Sequence, residues 1–278
     1  HGKHVAWSAV TRRLLFIVLL LAGITFSLSA LEPFETHGET LSVSGVDRLI
    51  IDSLVDFDVE IRGRNTDSLR MEVISSRRRA QEIYYEEQGG TFRIEQRRRR
   101  SLWRILPRRL LITVPLNVPV EIETLTGSVR LEGIDAPGVL RTASGDIGVS
   151  DHDGLLNVST ASGSVTVDGG SGRTVVRSSS GSVRVGNRRG RFVVETAVGD
   201  IRLRNSLLEE SSSFLSSAGN IDLRLRNPRD EVRGNLDSGT GDLTLDGTNL
   251  RGPVEDPQGD VFLLARTASG NLRIATDR

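Results

Sequence analysis

The chain has 278 residues, 29 of them glycine, against 8 Phe, 2 Trp and 2 Tyr, a profile that suits thin, repetitive layers closed by tight turns better than a core filled by aromatic rings. Lys plus Arg and Asp plus Glu number 36 each, so no global field draws the protein onto nucleic acid, and any electrostatic binding has to come from a local patch. Cysteine is absent, which excludes disulfides, thiolate metal sites and thiol catalysis.

In chain order, Lys3, Arg12 and Arg13 precede the apolar run 14–26 (LLFIVLLLAGITF), and small residues follow at 27–30 (SLSA). A positive start, a short apolar stretch and small residues at a cut site make a secretory signal, with cleavage expected near Ala30. The alternative is an uncleaved anchor. A spanning helix wants roughly 20 apolar residues, and the stretch 14–31 falls just short and carries Thr25, Ser27 and Ser29. Under either reading residues 1–31 are an export or anchoring element, and the rest of the chain lies outside the cytoplasm.

Residues 32–118 read as an irregular β cap and early coils. Strands are expected at 49–51, 55–61, 69–74, 83–85, 91–95 and 110–114, where branched and aromatic residues cluster. The stretch IIDSLVDFDVEIRG has the form of a degenerate coil. Between two of these strands lies RRRRSLWRILPRR, with Arg97, Arg98, Arg99, Arg100, Arg104, Arg108 and Arg109, no acid, and Trp103 among Leu102, Ile105 and Leu106. Arginines beside Trp and Leu suit a segment that lies at a lipid headgroup interface or holds an anionic polymer. The plainer alternative is a solvated hairpin loop in an arginine-rich chain, whose sole lysine is Lys3.

Residues 119–278 are a repeat. Aligned on one glycine, the segments TLTGSVRL, TASGDIGV, TASGSVTV, SSSGSVRV, TAVGDIRL, SSAGNIDL, SGTGDLTL and TASGNLRI place Gly127, Gly145, Gly163, Gly181, Gly199, Gly219, Gly241 and Gly270 in one column. The first five glycines are spaced 18 residues apart, and the later intervals lengthen to 20, 22 and 29, an increase expected to sit on loops. Branched residues fall two and four places after each glycine, as in Ile147 and Val149, and another apolar residue falls five before it, with Thr or Ser three before. Period-two patterning means strands, and no helical spacing interrupts it. Two strands and two corners in 18 residues must wind and stack, each strand parallel to its copy about 4.8 Å away. The expected fold is therefore all-β: a single-stranded parallel β-solenoid with about 18 residues per coil, turning at glycine where a corner needs positive φ.

Chemistry is sparse. His152, in SDHDG, is the only histidine after residue 37; beside Asp151 and Asp153 it reads as a polar turn, with an acid-base site on a polysaccharide as the sharper alternative. Ser144, Ser162 and Ser180 recur without a histidine, so none reads as a nucleophile. DGGSGRT (168–174) lacks the lysine and the helix of a phosphate loop. Asp146, Asp200, Asp242 and Asp260 follow glycines, where Asp serves turn geometry. No metal, cofactor or nucleic-acid partner is expected.

The run ITVPLNVPVEIETLTGSVRLEG followed by repeated TASGDI and SSSGSV resembles the bacterial putative-adhesin β-strand-repeat family, known mainly as a domain of unknown function, over about residues 40–278. The resemblance implies an extracytoplasmic β-solenoid, often with an N-terminal anchor, and brings no catalytic residues. Three functions follow as expectations. The first is a non-enzymatic, envelope-associated scaffold or adhesion module for a protein or glycan partner. The second is a membrane-proximal sensor that docks on anionic lipid through the arginine segment, and the third is a carbohydrate-active β-helix enzyme.

Overall fold

Strands and corners alternate through the computed structural model, which describes residues 32–34, 40–74, 83–96 and 108–277. The strands form two sheets, A with 13 and B with 14. The chain passes from a strand of sheet A through one corner into sheet B, then through a second corner back to sheet A, as in Gly138–Ser144, Ile147–Asp153 and Leu156–Ser162. Pairing between coils is parallel and in register. Leu140 faces Ile122 on one side and Val158 on the other, while Ile147 faces Val129 and Val165. This pairing of residue i with residue i+18 is the stacked solenoid expected from the repeat.

The two-residue period explains the interior. Val129, Leu131, Ile147, Val149, Val165 and Val167 are all at most 3% exposed, while Arg130, Thr166 and Arg184 on the alternate positions face water. In sheet A the residue five before the corner glycine, from Leu140 to Phe214, is fully buried. These aliphatic columns join into one core that runs through every coil.

The order of coils in space differs from their order in sequence at both ends. Sheet A places Val261–Ser269 between Ser212–Ala218 and Val232–Asp237, and sheet B places Leu272–Asp277 between Ile221–Pro228 and Leu243–Leu245. The last coil of the chain is thus the second to last of the stack. The long intervals before Gly241 and Gly270 are therefore not loop insertions in a regular stack, as expected from spacing. The chain steps outward by one place, makes two short antiparallel strands, Thr248–Leu250 and Val254–Asp256, and returns into the gap.

The beginning mirrors this. Arg48–Leu54 and Asp58–Arg64 form a coil, with Ile51 opposite Ile122 and Val59 opposite Val129, and an irregularity between Ile51 and Leu54 shifts the first strand by one residue from a gapless match of the two stretches. They lie inside a further coil made later in the chain by Thr91–Gln96 and Arg109–Pro115. The expected strand 55–61 is split: residues 55–57 make the corner, with Asp56 at φ 60 and Phe57 in the place that glycine takes in the next coil. Beyond that outer coil the strands turn antiparallel. Ile83–Gln88 pairs with Thr91–Gln96 through a turn at Gly89 and Gly90, both at positive φ, and Ser68–Ile74 pairs with Arg109–Pro115 and Thr40–Ser44. Short or antiparallel outer strands leave no long parallel edge for another chain to extend. Residues 1–31, including the expected export segment, lie outside the described residues.

Candidate functional site

Most corner glycines answer to two demands, conformation and close approach; Gly241 answers only to the second. Gly145, Gly163, Gly181, Gly199, Gly219 and Gly270 hold φ between +144 and +149, and a Cβ on any of them would lie 2.0–2.2 Å from the carbonyl oxygen of the glycine one coil below. That conformation is nearly confined to glycine. Gly127 meets Phe57 O in the same way, and Gly241 sits on Gly270 O.

The Thr and Ser three places earlier point inward and are at most 7% exposed. Some of their hydroxyls bond along the stack: Thr124 Oγ1 donates to Thr142 Oγ1 at 3.1 Å, Ser216 Oγ to Gly199 O at 3.2 Å, and Thr267 Oγ1 to Gly219 O at 2.8 Å, while those of Thr160 and Ser178 have no partner. Ser144, Ser162 and Ser180 stack one on another at the adjoining exposed position. The residue after the glycine ties coils together. Asp146 Oδ1 accepts from Ser164 N at 2.8 Å, Asp200 Oδ1 from Asn220 N, and Asn220 Oδ1 from Asn271 N, both at 2.9 Å. Several of the corner polar groups, Asp146 and Asp200 among them, thus make coil-to-coil contacts, a use finer than turn geometry alone.

The second corner holds what sequence reasoning missed. Gly154, Gly172 and Gly190 form another positive-φ column. Behind it lie His152, fully buried, and Arg188, 1% exposed. The SDHDG segment is therefore not a solvated turn. His152 sits in strand Ile147–Asp153 with its ring inside, while Asp151 and Asp153 are exposed, so no acid-base group assembles there. Arg188 Nε donates to Thr174 Oγ1 at 2.7 Å, Nη1 to Gly169 O at 2.8 Å and to His152 O, and Nη2 to Ser171 O at 2.8 Å. The glycines of DGGSGRT thus fold around a buried guanidinium. Gly170 is required because a Cβ there would meet His152 O at 2.1 Å.

Both ring nitrogens of His152 lack a hydrogen-bond partner. Burial, followed by the positive field of Arg188, pushes its pKa from 6.5 down to about 4. Burial likewise lowers Arg188 from 12.5 to about 10, with Asp153 opposing. A cation held mainly by carbonyls is a feature of tertiary packing; its only sequence trace is the placement of Arg188 two coils from His152 in register.

Of the basic segment, Arg97, Arg98, Arg99, Arg100, Trp103 and Arg104 lie outside the described residues. Their neighbours are described. Gln96 ends a strand of sheet A and Arg108 precedes a strand of sheet B. Arg108 lies over the Phe57 ring at 5.7 Å and accepts at its carbonyl from Asp58 N at 2.8 Å, and Arg109 is exposed. On sheet A an open groove of about 970 Å³ runs beside the corner-glycine column, floored by Ala161, Ser179, Ala197 and Ser217 and crossed by the Arg177–Glu195 ion pair at 3.1 Å. Among the described residues no group of His, Asp and Glu could hold a metal ion.

A family model described as Toastrack DUF4097 matches residues 46–277. No curated protein matches the sequence. Among solved structures, the chain is similar to a putative cell adhesion protein from Clostridium sporogenes, at 15% identity over 88% of this chain and 100% of the other, with a TM-score of 0.35. It is also similar to a putative adhesin from Bacteroides fragilis, at 13% identity over 87% and 98% of the two chains, with a TM-score of 0.47.

Proposed function

The chain belongs to the Toastrack DUF4097 family, and from that premise we propose that it is a non-enzymatic binding and scaffold module of the cell envelope, held outside the cytoplasm, whose outer faces meet a protein or glycan partner. The division of labour between positions carries this reading. Inward positions and corners repeat nearly unchanged and use their polar groups between coils. The outward row of sheet A changes freely, through Glu123, Arg141, Ser159, Arg177, Glu195 and Leu215. A constant frame with a variable face is the build of a recognition surface. His152, the one histidine among the described residues, is buried and turned away from its flanking acids, which speaks against the polysaccharide-cleaving alternative. The signal-like residues 1–31 support the compartment.

Fractionating cells that express the full chain, with N-terminal sequencing of the product, tests location and tether together. Binding of that product to isolated envelopes should saturate; recovery from the cytosol, or uptake that never saturates, counts against the proposal.

The attachment of the arginine segment favours a second reading, in which residues 97–109 dock on anionic lipid. Both its ends leave the outermost coil at one corner, so a membrane could be met end-on. Replacing Arg97, Arg98, Arg99 and Arg100 with serine should then abolish binding to anionic liposomes, and undiminished binding would remove this reading.

A further inference from the structure

Gly148 is a glycine the fold does not ask for. Its φ is not in the left-handed region, and a Cβ built on it meets nothing nearer than Arg130 Nε at 4.0 Å. It faces outward from sheet B in a row that runs along the stack through Glu60, Arg130, Gly148, Thr166 and Arg184. The missing side chain opens a depression of about 750 Å³ between Arg130 and Arg184. These two residues stand three coils apart, roughly 14 Å at the spacing of paired strands.

The groups around this depression are unevenly committed. Among the described residues no hydrogen bond or ion pair engages the guanidinium of Arg130, of Arg184, or of Arg109 at the rim. The acids are each tied down at one oxygen: Asp58 Oδ1 accepts from Ser128 N at 2.9 Å, Asp146 Oδ1 from Ser164 N at 2.8 Å and Asp168 Oδ1 from Asn187 Nδ2 at 2.7 Å, uncharged donors that leave their charge in place, while Glu60 is ion-paired with Arg62. The depression thus offers free planar cations along its axis, and hydroxyls and carboxylate oxygens across it.

That pattern selects among anions. Guanidinium forks suit carboxylates, and serine hydroxyls with aspartate oxygens suit the hydroxyls of a sugar. Single-stranded nucleic acid would want aromatic platforms for its bases, and none lines the depression. A membrane would want exposed apolar side chains, but Val59, Val129, Ile147 and Val149 beneath it are at most 3% exposed. We propose that this face of sheet B binds a linear carboxylated glycan, with Arg130 and Arg184 pairing its carboxylates and the chain lying over Gly148. The proposal rests on the glycan-partner reading above and narrows it to one class.

Polygalacturonate, titrated into the full chain by calorimetry, is the probe, with dextran and phosphatidylglycerol vesicles beside it. Binding should be confined to polygalacturonate and weaken with salt. The double variant Arg130→Ser, Arg184→Ser should lose about tenfold or more in affinity, the loss expected when charged hydrogen bonds are removed. Gly148→Gln, which fills the depression where the backbone has room, should do the same with an unchanged Tm. Arg48→Ser with Arg93→Ser on sheet A, both outside any surface assigned to binding, should leave binding as it was. No binding of polygalacturonate, equal binding of dextran, preference for vesicles, indifference to Gly148→Gln, or an equal loss in the sheet A variant each overturns the proposal. If polygalacturonate fails while isolated envelopes are still bound saturably, this site is wrong and the broader envelope reading stands.

Discussion

Replacing Gly163 with alanine puts a methyl carbon 2.1 Å from Gly145 O while φ stays at +144. Holding a non-glycine residue in that region costs about 1–3 kcal/mol. Relieving the overlap by shifting packed backbone costs about another 1–3 kcal/mol. The partner atom is main chain, locked by Gly145 N donating to Ser162 O at 3.0 Å and Gly163 N to Ser180 O at 3.1 Å, so the neighbouring coils have no side chain to swing aside. The expected loss is therefore about 2–6 kcal/mol in urea unfolding. Gly148→Ala is the matched control: the same chemical change, one row away, with open space and an ordinary φ. It should be neutral or slightly stabilising, since alanine restricts the unfolded chain more than glycine does. If the two variants unfold within about 1 kcal/mol of each other, close approach at the corner is not what fixes glycine there.

Three further outcomes follow from the interior. Arg188→Met removes the donor to Thr174 Oγ1, Gly169 O and Ser171 O; leaving even one of these acceptors buried and unpaired costs about 1–3 kcal/mol, so thermal unfolding should shift clearly downward. His152 is neutral in the fold, with its pKa lowered from 6.5 to about 4, so the unfolded chain binds the extra proton between those values. Its contribution is intact above pH 6.5, is lost as pH falls towards about 4, and amounts to roughly 3 kcal/mol; His152→Leu should flatten the pH dependence of stability in that window. Thr267→Val deletes the 2.8 Å bond to Gly219 O and should cost about 1 kcal/mol, whereas Thr160→Val, whose buried hydroxyl has no partner, should cost nothing or stabilise, as denaturant titrations of the pair will read.

Much of the fold was legible because a solenoid writes its period into the chain. Ile147 and Val149 repeat as Val165 and Val167 since both pairs occupy the same column, and the corner glycine repeats because each rests on the last. The cap at the beginning was legible only in outline, for its coil turns at Val55, Asp56 and Phe57 without a glycine to align on, and the expected strand there ran through the corner. The candidate site was hidden for a different reason. Arg130 and Arg184 are 54 positions apart and come onto one face only when the two windings between them are stacked. Gly148 looks like any other glycine until the space around it is known. His152 looked solvated because its neighbours Asp151 and Asp153 are charged, but in a strand adjacent residues face opposite sides, so its neighbours' exposure implied its burial.

The displaced coil at each end shows how an open-ended stack is stopped. A parallel stack that simply ran out would present a full winding of unpaired donors and acceptors to the next molecule. Here the winding that closes each end is not the chain's own first or last. Leu243–Leu245 and Val232–Asp237 form the outer winding, antiparallel strands lie against them, and Val261–Ser269 with Leu272–Asp277 occupies the place between that winding and the one before it. The chain's last coil is thus paired on both sides, and the exposed rim is left to strands of three residues, Thr248–Leu250 and Val254–Asp256. Since Val261–Ser269 lies between Ser212–Ala218 and Val232–Asp237, cutting the chain after residue 250 would leave a gap between those two strands rather than a shorter stack. Truncation there should expose two facing parallel edges and drive aggregation, whereas a removal of the whole stretch 229–278 would expose one.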